Sequence, residues 1–195
     1  MDDAQHTANK KAALRRQARQ YLLAQPKSTL QHWGRAMADA LFCLDQWKQA
    51  KTVFCFVSTD AEPDTLPILK AVLAQGRTLC VPRTKNNRGD MDAVVIKDLQ
   101  QLASGRWGIL EPAQGLPLAQ PEQIDLIVAP CLMAGSLGQR LGQGGGYYDR
   151  FFARCHCPKV VLCPSQLVSE QIPLEPFDQP VDFVLTEAGL LYSGI

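Results

Sequence analysis

Residues 52–65 read T-V-F-C-F-V-S-T-D-A-E-P-D-T. The first half, Thr52–Ser58, is a nearly unbroken apolar run of strand formers, the pattern of a strand covered on both faces. The second half is polar and acidic, and it leads into an apolar segment, Leu66–Gln75, closed by Gly76, the residue type that ends helices in a left-handed turn. Strand, loop and helix in that order form part of a unit whose strands run parallel. Ligands of such sheets gather at the loops beyond the carboxyl ends of the strands, which directs attention to Thr59–Thr65. Asp64 is placed to cap the next helix. Glu62 is not needed for that task.

The same alternation extends outward. Upstream, Leu14, Ala18, Tyr21 and Leu22 recur at helical spacing, which predicts a helix over Lys10–Gln25 that Pro26 stops. Ser28-Thr-Leu-Gln31 reads as a capping box for a second helix, with Trp33, Met37, Ala40, Leu41 and Leu44 on one stripe. Downstream, strands are predicted at Thr78–Val81, Met91–Ile96, Ile124–Ala129 and Lys159–Cys163, with a last one inside 178–187. Pro82–Gly89 is a polar, basic loop, and 100–118 is irregular. The expected fold is α/β: one three-layer α/β/α domain over residues 1–195, with a mostly parallel, Rossmann-like sheet and right-handed crossovers.

Bulk properties narrow the class. Twenty basic against nineteen acidic residues leave a formal charge of +1, so no nucleic-acid or membrane partner is expected. No apolar run approaches a membrane span and no secretory leader is visible, which predicts a cytoplasmic protein. Seven cysteines, an odd number scattered through apolar runs, read as reduced packing residues. Cys155-His156-Cys157 lacks the second ligand pair of a zinc site.

Arg140–Arg150 reads R-L-G-Q-G-G-G-Y-Y-D-R. The glycines at 142, 144, 145 and 146 let the backbone turn and let a ligand approach it without a Cβ in the way. Successive N–H groups ahead of a helix beginning at Tyr147 make a cradle for anionic oxygen, and Arg140 adds a forked cation. Neither common nucleotide fingerprint is matched. On the first helix Lys11 and Arg15 lie one turn apart, either on a solvated basic face or reaching the same polyanion.

The string Arg140–Asp149 resembles the R-L-G-x-G-x-G-[YF]-Y-D signature of the 5-formyltetrahydrofolate cyclo-ligases. Three further segments are similar to family elements: Lys11-Ala-Ala-Leu14-Arg15 to K-x-x-L-R, Trp107-Gly-Ile-Leu-Glu-Pro112 to W-G-I-x-E-P, and Asp178–Glu187 to the closing D-x-P-[VL]-D segment. The resemblance implies an ATP-dependent, Mg²⁺-assisted ligase that closes 5-formyltetrahydrofolate, polyglutamylated forms included, to the methenyl compound. It implies ATP contacts at Lys11, Arg15, Arg140, Leu141, Gly142, Gln143, Gly144, Gly145, Gly146, Tyr147 and Tyr148. Folate contacts fall on Val57, Glu62, Trp107 and Tyr147, metal-site acids on Asp149 and Asp182, and catalytic roles on Arg140, Glu62 and Tyr147. A monomer or weak homodimer is expected. The chain departs from the pattern at Ala134-Gly135, where the family carries an aromatic-Asp pair, and at Pro164-Ser165. Those departures keep a second reading open, a non-catalytic nucleotide- or folate-binding member of the same scaffold.

Overall fold

The apolar run beginning at Thr52 becomes the central strand of an eight-stranded sheet in the computed structural model, which describes residues 2–105, 110–170 and 172–194. In chain order the leading elements are α1 (Asp2–Leu23), α2 (Lys27–Cys43), α3 (Asp45–Gln49), β1 (Thr52–Cys55) and α4 (Leu66–Ala74). Then come β2 (Thr78–Thr84), β3 (Met91–Ile96), β4 (Leu102–Ser104), β5 (Leu110–Pro112) and β6 (Leu118–Ala119). The chain continues through β7 (Leu126–Pro130), β8 (Met133–Ala134), β9 (Arg140–Leu141), α5 (Tyr147–Phe152), β10 (Lys159–Leu162), β11 (Phe183–Thr186) and β12 (Gly189–Ser193). The large sheet runs β12-β11-β10-β7-β1-β2-β3-β6, while β4–β5 and β8–β9 form separate two-stranded ribbons.

Alternation along β1 explains the three layers. Phe54 turns to one face, where it packs with Ala18 and Leu22 of α1 and with Phe151 and Phe152 of α5. Val53 and Cys55 turn to the other, against Met37 and Leu41 of α2 and Leu69 and Val72 of α4. Both faces of the strand are dry, so an amphipathic pattern would have failed here and a continuous apolar one succeeds. The capping-box prediction does not hold: α2 begins at Lys27 after Pro26, without a side-chain cap. Instead the Pro26 carbonyl accepts the N–H groups of Thr29 and Leu30. The first helix starts earlier than its apolar periodicity, at Asp2, since no glycine or proline interrupts the polar residues ahead of Lys10.

β11, β10, β7, β1 and β2 are parallel, whereas β3, β6 and β12 are antiparallel to their neighbours. Connection length decides this. The basic loop after β2 is a tight hairpin closed by Lys85 N–H on the Asp90 carbonyl at 2.9 Å, with Gly89 at φ +92°. It is too short for a crossover, which takes a dozen or more residues. The turn into β12 is shorter still and uses Gly189 at φ +112°. Among the described residues no helix is long and apolar enough to cross a membrane.

Candidate active site

Beyond the carboxyl ends of β1, β2 and β7 lies a cleft of about 570 Å³. Its walls come from α1, the loop after β1, the ends of β2 and β3, the loop 142–146 with α5, and the segment 175–178.

The glycine loop is held by its carbonyls. Arg15 Nε donates to the Gly142 carbonyl at 2.9 Å, Arg19 Nη2 to that of Gln143 at 3.1 Å, and Arg150 Nη2 to that of Gly145 at 2.6 Å. Gly144 and Gly146 sit at φ +100° and +68°, conformations that a side chain would strain. Among the described residues, the N–H groups of Gln143, Gly144, Gly145 and Gly146 donate to no protein acceptor. A loop whose carbonyls at 142, 143, 145 and 146 are engaged and whose N–H groups are free is an anion cradle.

Arg140 is buried at 7% exposure. Its Nη2 meets Asp149 Oδ1 at 2.8 Å, and its guanidinium lies over the Tyr148 and Phe152 rings at 5.7 and 5.3 Å. Its Nε is buried and finds no acceptor among the described residues. An orphaned charged donor is costly unless something anionic arrives.

Lys11 is not on a solvated face. It is 3% exposed, with its ammonium bonded to Glu175 Oε2 at 2.7 Å and to Asp178 Oδ2, 5.6 Å from the centre of the Phe177 ring. The partner segment, P-L-E-P-F-D at 173–178, supplies the two acids that the basic pattern of α1 left unstated. The cations expected to reach a ligand freely are thus each engaged: Lys11 by acids, Arg15 by the loop and Arg140 by Asp149.

Glu62 lines the cleft as expected, its Oε2 accepting from Thr59 N–H at 2.8 Å and Thr59 Oγ1 at 3.0 Å. Burial pushes its carboxyl above the ordinary glutamate value, partly offset by those two bonds. Val57 lines the same wall. Tyr147 and Tyr148 both face the cleft. Tyr147 Oη donates to the Asn86 carbonyl at 2.9 Å. The Tyr148 phenol is pushed well up, by burial first and by the negative charge of Glu62 second. Leu141 closes the floor, buried. Trp107 lies outside the described residues, although Leu110 and Glu111 after it line the cleft.

The two acids expected to share a metal are not brought together. Asp182 precedes β11, at the opposite end of the sheet from the cleft, and its carboxylate accepts the Lys159 N–H at 2.7 Å. Asp149 does line the cleft, and the Gln179 N–H donates to it at 3.3 Å; Asp178 lines the cleft as well, its carboxylate held by Lys11 and by the Glu175 N–H. Among the described residues no group of three or more His, Cys, Asp or Glu side chains forms a ready-made metal cage. Neither departure from the family pattern touches the site: residues 134, 135, 164 and 165 do not line the cleft.

Two contacts tie the glycine loop to the β2–β3 hairpin. Arg150 spans from the Gly145 carbonyl to that of Gly89, at 2.6 and 3.2 Å, and Tyr147 adds its bond to Asn86.

Comparison with known proteins gives the chain its relatives. The chain is 28% identical over 189 residues to 5-formyltetrahydrofolate cyclo-ligase of Mus musculus, covering 91% of this chain and 93% of that one. It is 28% identical over 162 residues to the enzyme of that name from Escherichia coli K12, covering 80% and 88%. The NMR structure of Aquifex aeolicus 5,10-methenyltetrahydrofolate synthetase superposes with a TM-score of 0.82 at 28% identity, covering 93% of this chain and 92% of that one. The corresponding structure from Mycoplasma pneumoniae, at 19% identity and a TM-score of 0.72, shares the fold. The family profile matches residues 7–187, and the chain belongs to the 5-formyltetrahydrofolate cyclo-ligase family.

Proposed function

We propose that this protein catalyses the ATP-dependent cyclisation of 5-formyltetrahydrofolate to 5,10-methenyltetrahydrofolate, with release of ADP and phosphate. The formyl oxygen is a very poor leaving group. Transfer of the γ-phosphoryl group to it, attack of the N10 amine on the activated carbon, and departure of the oxygen as phosphate close the ring. Phosphoryl transfer is mostly positioning and charge stabilisation, and holding N10 beside that carbon makes the closing step intramolecular, worth roughly 7–11 kcal/mol.

One observation carries the reading. Residues 143–146, whose N–H groups are unpaired among the described residues, and Arg140, whose buried Nε has no acceptor there, line the same cleft as Glu62. Donors of that kind stabilise charge that develops on a triphosphate. Gly142, Leu141 and Arg15 shape the cradle, and Lys11 offsets phosphate charge beside its own two acids. Glu62, Val57, Tyr147 and Trp107 serve the folate side, with Tyr148 beneath the boundary between the ligands. Mg²⁺ needs one or two carboxylates plus phosphate oxygens, and Asp149 with Asp178 would hold it, where it would neutralise phosphate charge. We read the chain as one cytoplasmic domain, monomeric or weakly dimeric, which takes polyglutamylated substrate too and no nucleic-acid or membrane partner.

The test is absorbance growth of the methenyl product on mixing protein, 5-formyltetrahydrofolate and Mg-ATP. Product forms with ATP and not without it. Binding of both ligands with no turnover would favour the non-catalytic reading instead.

A further inference from the structure

The carboxylate of Glu62 is held by one edge only. Thr59 donates twice to Oε2, from its N–H at 2.8 Å and its hydroxyl at 3.0 Å. The hydroxyl oxygen itself accepts the Ala61 N–H at 3.4 Å, which leaves its proton free for the carboxylate. Both donors fall on Oε2, while Oε1 accepts no hydrogen bond from the described residues. The turn beneath is also fixed. Glu62 N–H donates to the Thr59 carbonyl at 3.3 Å, and Ser58 and Thr65 exchange reciprocal bonds, Ser58 N–H to Thr65 Oγ1 at 3.0 Å and Thr65 N–H to Ser58 Oγ at 3.1 Å. Thr65 Oγ1 then anchors the turn to the end of β1 by donating to the Phe56 carbonyl at 3.0 Å.

We infer that Thr59 is a positioning residue: it locks Oε2 of Glu62 so that Oε1 alone is presented to the amine or ring N–H groups of the folate. The inference rests on the folate-side role of Glu62 proposed above. Among side chains, the lock requires a β-hydroxyl at position 59; the backbone N–H alone leaves the carboxylate free to swing about a single bond.

The experiment compares Thr59→Val, Thr59→Ser and Glu62→Ala in the full chain, varying folate and ATP separately. Thr59→Val keeps the shape and removes the hydroxyl. It lowers kcat/KM for 5-formyltetrahydrofolate about tenfold, the equivalent of one hydrogen bond to a charged group. The KM for ATP stays within about twofold, since among the described residues Thr59 hydrogen-bonds only to Glu62 and Ala61 and not to the glycine loop. Thr59→Ser, which keeps a hydroxyl, recovers most of the loss. Folate kinetics unchanged in Thr59→Val while Glu62→Ala is impaired would overturn the inference and leave the role of Glu62 standing. Wild-type kinetics in Glu62→Ala would remove that role itself. An equal loss toward ATP and folate in Thr59→Val, or no recovery in Thr59→Ser, would make Thr59 a structural residue and also overturn the inference.

Discussion

Replacing Gly34 by alanine puts a methyl group where there is no room for one. Gly34 lies in the middle of α2, and a Cβ built there stands 2.1 Å from the Asp64 carbonyl oxygen, 2.5 Å from its nitrogen and 2.8 Å from its carbonyl carbon. All three are backbone atoms, so no side chain can rotate away. Helix and loop must part by roughly 1 Å to restore ordinary contact, which stretches the Asp64 N–H bond to the Leu30 carbonyl, already 3.2 Å. Two effects oppose each other. Alanine improves a helix interior over glycine by about 0.5–1 kcal/mol. Overpacking a tight contact costs about 1–3 kcal/mol, and the weakened hydrogen bond about 1 more. The steric side wins, and Gly34→Ala loses about 2 kcal/mol of stability, a fall in Tm of about 4–8 °C for a chain of this size. Because Asp64 sits two residues from Glu62, KM for the folate rises while KM for ATP does not. Thermal unfolding together with steady-state kinetics checks both. A higher Tm, or folate kinetics equal to wild type, would refute the argument that this contact seats the loop.

Two other outcomes follow from charged groups. Lys11→Met strands Glu175 and Asp178, with side chains 24% and 12% exposed, without their cation. It costs about 3 kcal/mol in denaturant unfolding, and adding Glu175→Gln returns part of that; a double variant no more stable than the single one would contradict the pairing. For Glu62, the folded pKa lies above the ordinary 4.5 because of burial. The wild-type protein is therefore fully stabilised by the protonated carboxyl below that value and loses the contribution as pH rises through the folded pKa. Glu62→Gln escapes the loss, so its Tm relative to wild type climbs as pH is raised from 4.5 toward neutrality; a flat difference would exclude the buried charge.

The layers were legible because burial on both sheet faces leaves a trace that a single sequence preserves: the unbroken run at Thr52 and its kin at Ile124 and Lys159. Strand direction was less so. It depends on how long each connection is once folded, and a polar, basic composition after β2 does not reveal how tightly that loop closes. The glycine cradle and Glu62 stood out because free backbone amides and an uncommitted acid have few structural uses. Asp178 and Glu175 did not, since acids that meet a lysine more than 160 residues away carry no local signature. The placement of Asp182 failed for a related reason: an acid at a strand entry reads alike whether it turns toward a ligand or caps the N–H of the next strand.

Arg150 and Tyr147 yoke the glycine loop to the hairpin whose strands end at Thr84 and begin again at Met91, both on the cleft wall. A nucleotide that settled on the loop would bear on this far jaw through those contacts. Occupancy on one side then alters affinity on the other by the same factor in either order of loading, since linkage between two sites is reciprocal.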